Sequence, residues 1–156
     1  MAKFLFIVDL QKEFVKGWKG KQVYKKALQF IEKNRSDYTY IYAAVYQQDR
    51  FVFKNMQDKL NWDECQSISP LEFECDRVIY HSGYSIPEYP NFSKDDTVEV
   101  IGFDTDACVL SACFHLFDMD CDLRILTDYI YSSGGDGFHK AALGIMERQF
   151  GKCVVY

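Results

Sequence analysis

The stretch from Val98 to Phe117 limits the fold more than any other part of the chain. Val98, Val100 and Ile101 read as a buried strand, and Gly102 lets the backbone turn tightly where that strand ends. Thr105 or Asp106 is a suitable helix N-cap, and beyond it Val109, Leu110, Ala112, Cys113, Leu116 and Phe117 recur at helical spacing. Cys108 therefore falls in the first turn of a helix that follows a strand. The free N–H groups and partial positive charge of a helix N-terminus favour thiolate over thiol at that position. The same position also suits a small apolar residue packed beneath the helix, the ordinary fate of a buried cysteine. The local sequence supports the two readings equally.

The rest of the chain repeats the alternation of strand and helix. Phe4–Val8 is a continuous apolar run, the pattern of a strand covered on both faces, and it ends in Asp9. A polar loop, Val15 to Lys21, leads to an expected helix over Gln22–Asn34, with Val23, Ala27, Phe30 and Ile31 on one face. Tyr38–Tyr46 reads as a second strand and Asp76–Tyr80 as a short third, which runs into His81. Between them Gln47–Glu74 is aperiodic, a long excursion with short helical turns and apolar islands at Phe51–Phe53 and Leu60–Trp62. Pro87 and Pro90 keep the segment after His81 extended. A strand at Leu123–Leu126, a loop at Thr127–Gly137, a helix at Phe138–Phe150 stopped by Gly151, and a terminal strand at Lys152–Tyr156 complete the series. The expectation is one domain over residues 1–156, a parallel sheet with helices on both faces.

Composition narrows the function. A net charge of −5 argues against a general nucleic-acid binder, and the basic run from Lys16 to Lys26 reads as a solvated loop and helix face. No apolar run approaches transmembrane length, so no membrane partner is expected. The six cysteines include no Cys-x-x-Cys pair and read as free thiols of a reducing cytoplasm. Ser132–Gly137 lacks the Lys-Ser/Thr that would follow in a phosphate-binding loop.

In a parallel sheet the carboxyl ends of the strands share one edge, so Asp9, His81 and Cys108 can converge there. A cysteine nucleophile, a carboxylate proton acceptor and a nearby cation or second base suffice for acyl transfer. Phe6-Ile-Val-Asp-Leu-Gln-Lys-Glu-Phe14, Gly102-Phe-Asp-Thr-Asp-Ala-Cys-Val109 and the tail His139–Phe150 together resemble the isochorismatase-like cysteine hydrolases over nearly the whole chain. The resemblance implies a Rossmann-like three-layer α/β/α sandwich on a six-stranded, mainly parallel sheet. It implies an Asp–Lys–Cys triad in which Asp9 is the general base and Cys108 the nucleophile. It also implies a cis peptide bond at Phe103–Asp104, with the N–H groups of Asp104 and Cys108 forming an oxyanion hole. No metal and no organic cofactor is expected, because the metal motif of one branch of the family is missing from this sequence.

The departures from the family are informative. His81, in His81-Ser-Gly-Tyr-Ser85, stands where the family has lysine. An imidazole near its unperturbed pKa of about 6.5 carries a full charge at neutral pH only if its surroundings hold the proton on. The Asp-x-His metal motif of the nicotinamidase branch is replaced by Tyr46-Gln-Gln-Asp49-Arg-Phe51, which contains no histidine. The segment between His81 and Cys108 is short, so Ser85–Asp96 is expected to cross over without a helix. His115 and His139 read as packing or surface residues, and Phe14 and Tyr84 as candidate walls for a small planar substrate. The resulting expectation is a cytoplasmic hydrolase of small amides, a homodimer or homotetramer as family members often are. The alternative is a weakened or inactive homologue that binds a small molecule or a protein.

Overall fold

A computed structural model describes residues 1–47, 54–60 and 68–156. The islands at Phe51–Phe53 and Trp62, together with Asp49 and Cys65, lie outside the described residues. Five strands form one sheet: β1 (Lys3–Val8), β2 (Tyr40–Tyr46), β3 (Arg77–His81), β4 (Thr97–Phe103) and β5 (Asp122–Tyr131), in the order β3-β2-β1-β4-β5. Every neighbouring pair is parallel. The order reverses at β1, so the crevice beside the carboxyl ends of β1 and β4 is the topological switch point of the sheet.

The side-chain period of two sends alternate residues of β1 to opposite faces. Leu5 and Ile7 pack with Ile41, Ala43, Val45, Ile101 and Phe103 against Ala27 and Ile31 of α1 (Gly17–Asn34). Phe6 and Val8 pack with Val98 and Val100 against α3 (Cys108–Asp118) and α4 (Asp136–Phe150). Between these helices in sequence lies the short α2 (Lys54–Leu60), which buries Met56. The three-layer arrangement is therefore present. Among the described residues no helix is long and apolar enough to cross a membrane.

Several boundaries differ from those expected. α1 begins at Gly17, so much of the anticipated polar loop is helix. β5 runs on to Tyr131 through an irregularity: Val100 pairs with Ile125, but Gly102 pairs with Ile130. The expected sixth strand is reduced to a single parallel bridge between Val155 and Ile125, after a 3-10 turn at Lys152–Val154. The bulging part of β5 pairs with that tail instead, through Thr127 N–H to the Tyr156 carbonyl and Tyr156 N–H to the Ile125 carbonyl.

Ser85–Asp96 contains no helix, as expected from its length. Aromatic rings fill the space on that face instead. Phe92 is buried against Phe4 with ring centroids 5.0 Å apart, and Tyr89 lies between Phe6 (5.5 Å) and His115 (3.9 Å), nearly parallel to both. His115 is thus a surface residue that caps Tyr89.

Candidate functional site

β1 ends in a tight turn whose first residue is Asp9, at φ 45°, a left-handed backbone that aspartate tolerates better than most side chains. Its N–H bonds the Ala44 carbonyl at 3.0 Å, and its carbonyl receives the Gln11 N–H at 2.8 Å. Gln11, almost fully buried, then does what a strand neighbour would do. Its Nε2 donates to the Tyr46 carbonyl at 2.9 Å, and its Oε1 accepts from the Tyr46 N–H at 2.8 Å. The Asp-x-Gln element therefore places the carboxylate with one residue and pins the end of β2 with the other. Gln11→Ala removes both bonds to buried groups, so it is expected to cost about 2–4 kcal/mol. The check is a lower midpoint with an unchanged slope in urea unfolding.

His81 closes β3, and its side chain and that of Asp9 are both fully buried. Its Nε2 lies 2.6 Å from Asp9 Oδ1, and its Nδ1 lies 2.7 Å from the Gly83 carbonyl. A carbonyl can only accept, so Nδ1 carries a hydrogen; the carboxylate oxygen on the other side also calls for a donor. Burial works against charge on the ring, but the hydrogen bond to Asp9, its negative charge and the Gly83 carbonyl outweigh it and raise the pKa. The imidazole is thereby favoured as a cation. Asp9 Oδ2 is buried and lacks a hydrogen-bond partner of ordinary geometry among the described residues.

Cys108 is the first residue of α3 and is 7% exposed. Ligand-type atoms of Asp9, His81 and Cys108 all lie within 4.8 Å of one another. Burial first, and then the Asp9 carboxylate, push the thiol well above its ordinary range, so the resting sulfur is protonated beside a base. The structure therefore brings the three sequence-selected side chains together.

The turn before Cys108 is held from the β5–α4 corner. The Phe103–Asp104 peptide is cis. Ser133 donates to both oxygens of Asp104, from its N–H at 2.7 Å and from its hydroxyl at 2.5 Å. Ser132 Oγ donates to Asp106 Oδ1 at 2.6 Å, and Thr105 N–H donates to the Tyr131 carbonyl at 3.1 Å. Thr105 and Asp106 are thus engaged elsewhere, and the residue at the N-cap is Ala107, with no side-chain cap. Thr105 Oγ1 lies 2.8 Å from His139 Nδ1, so His139 is a buried support of the turn rather than the surface residue expected. Burial, and then the charge of Lys19, hold its pKa low, which suits a neutral ring against a hydroxyl.

Of the two expected pocket walls, Phe14 lies edge-on to Tyr46 at 5.8 Å, and Tyr46 in turn lies edge-on to His81 at 5.8 Å. Tyr84 is 48% exposed, next to the Gly83 that holds His81. Tyr89 was not anticipated at the site. It stacks on Phe6 and His115, and burial, then the acidic groups of Cys113, Cys108 and Asp9, push its phenol up. Its presence follows from the extended crossover, and an aromatic between two prolines was the signal available.

An open parallel α/β sheet with reactive side chains at its switch point defines a protein of the doubly wound class. Within that class the isochorismatase domain matches residues 3–155, and the chain belongs to the isochorismatase family. Among solved structures it is similar to the pyrazinamidase/nicotinamidase of Streptococcus mutans, at 16% identity and a TM-score of 0.73, over 99% of this chain and 100% of that one. It is likewise similar to the nicotinamidase PncA of Bacillus subtilis (15%, TM-score 0.72, 97% of each chain). A third is the pyrazinamidase of Pyrococcus horikoshii in complex with zinc (15%, TM-score 0.73, 99% of this chain and 97% of that one). No curated protein sequence matches the chain.

The residues present do not fit a two-histidine metal site of the nicotinamidase kind. The chain has three histidines. They do not meet: among the described residues the cluster that could hold a metal contains His81 alone of the three, while His115 is stacked on Tyr89 and His139 is bonded to Thr105.

Proposed function

We propose that the protein is a metal-independent cysteine hydrolase that cleaves the C–N bond of a small amide through a covalent acyl-enzyme. The observation that carries this reading is the meeting of a buried thiol, carboxylate and imidazole at the carboxyl edge of the sheet, with ligand-type atoms within 4.8 Å. Asp9 takes the Cys108 proton as the sulfur attacks the carbonyl carbon, and the N–H groups of Asp104 and Cys108 receive the charge that develops on oxygen. The tetrahedral adduct then expels the amine, which leaves with the proton from Asp9. Water, deprotonated by the same carboxylate, cleaves the thioester and releases the acid. His81 takes the lysine's part: the two acceptors around its ring favour the imidazolium, which offsets the charge on the thiolate. Phe14, Tyr84 and Tyr89 supply the walls for a planar substrate.

In chelator-treated protein, iodoacetamide is expected to alkylate Cys108 at near-neutral pH at least tenfold faster than the other five thiols, because Asp9 takes the thiol proton as the sulfur attacks; Asp9→Asn removes that base and slows it. Peptide mass mapping reads the rates. Uniform slow alkylation of all six would overturn the reading and favour a binding protein. A screen of small amides, nicotinamide and pyrazinamide among them, then identifies the substrate.

A further inference from the structure

We propose that Asp9, His81 and Cys108 also form a binding site for one thiophilic divalent cation of the zinc class, and that its occupancy reversibly blocks the nucleophile. The donor set is an imidazole nitrogen, a thiolate sulfur and a carboxylate oxygen, the three ligand types that zinc takes from proteins. All three side chains are buried, and their donor atoms are mutually within 4.8 Å.

Two further observations point to a ligand. Asp9 Oδ2 is buried with no hydrogen-bond partner of ordinary geometry among the described residues, and only the thiol of Cys108 beside the carboxylate; a cation would replace that weak contact with a strong one. His81 Nδ1 donates to the Gly83 carbonyl at 2.7 Å, the outer-shell bond that leaves Nε2 as the donor turned toward the cluster. An ion with zinc-like bond lengths needs ligand atoms roughly 3.3–3.8 Å apart. The Asp9–His81 contact of 2.6 Å must therefore widen, and any wider edge must contract to match, by rotations of side chains on fixed strand and helix ends.

The charges balance. Carboxylate, imidazolium and thiol together are neutral; carboxylate, imidazole and thiolate around a dication are neutral too, with the two displaced protons passing to water. A lysine at position 81 would not complete this set, because an ammonium has no lone pair to donate. The site is thus a property of His81, and its ligands differ from a two-histidine set. Its regulatory meaning rests on the hydrolase reading; the binding itself does not.

The test is titration of chelator-stripped wild-type protein with Co²⁺ alone, followed by displacement with Zn²⁺. The expected result is one cobalt per chain with a sulfur-to-metal charge-transfer band, abolished by Zn²⁺ and absent in Cys108→Ser and His81→Lys. No band, or a band that survives in Cys108→Ser, overturns the proposal. A second measurement needs no variant. Zn²⁺ at about ten times its Kd should slow iodoacetamide at Cys108 about tenfold, since the unbound fraction alone reacts, and should leave the other thiols unchanged. Equal rates at Cys108 with and without Zn²⁺ overturn it. If Cys108 is selectively alkylated in stripped protein but no cobalt binds, this inference falls and the hydrolase reading stands. Cobalt binding without selective alkylation has the reverse meaning.

Discussion

Cys108→Ala is expected to lower amide turnover by about 10³-fold or more while leaving the fold intact. The size follows from covalent catalysis: without the sulfur no acyl-enzyme forms, and what remains is the modest benefit of binding and of the donors around the carbonyl oxygen. The small structural effect follows from the site. Cys108 opens α3 from the rim of the core, and alanine keeps its Cβ while removing a single heavy atom. The measurement pairs steady-state kinetics on the best amide from the screen with thermal unfolding of the same preparations. An alanine variant that keeps turnover within tenfold of the wild type would remove Cys108 from the mechanism. Cys108→Ser adds a sharper point, because an alcohol beside Asp9 keeps the shape of the thiol with a much weaker nucleophile.

Gly102→Ala is expected to abolish the folded state. A Cβ at this position would stand 1.8 Å from the Val8 carbonyl oxygen and 2.7 Å from its carbon, both backbone atoms of the paired strand. The residue also has φ +129°, where an L side chain is strained by about 1–3 kcal/mol before any clash. Relief would require parting β1 from β4 at the centre of the sheet, a loss comparable to a typical whole stability of about 5–15 kcal/mol. Soluble expression and circular dichroism read the outcome. Gly17→Ala is the control: its φ is +66° but nothing lies within 4 Å of the added carbon, so it should stay folded. Native-like circular dichroism and melting of Gly102→Ala would contradict the geometry.

The parts of this fold that the sequence made legible are those governed by local pattern. An unbroken apolar run became the doubly covered β1, and the spacing after Gly102 became α3 with Cys108 in its first turn. The convergence of Asp9, His81 and Cys108 followed from the rule that parallel strands share an edge. What escaped depends on contacts between distant residues. Gln11 reads as an ordinary polar residue until Tyr46, far along the chain, presents its backbone to it. His139 opens a helix and looked solvent-facing, yet Thr105 bonds it inward, and the same bond removes Thr105 from the N-cap. The sixth strand shrinks to one bridge, Val155 to Ile125, with Tyr156 bonded to Ile125 and Thr127 of β5, and no local pattern records a register shift in a neighbour.

The helix-free crossover has a consequence for how the protein breathes. A helix secures its own amides, whereas the backbone bonds within this segment are short-range, Phe92 to Pro90 and Asp96 to Ser93. Its order depends on rings resting on Phe4, Phe6 and His115. Amide exchange along Ser85–Asp96 should therefore follow small local openings rather than global unfolding. The flank of the site that carries Tyr89 then opens at a lower free-energy cost than the strands and helices around it, and a substrate ring that stacks there would slow its exchange.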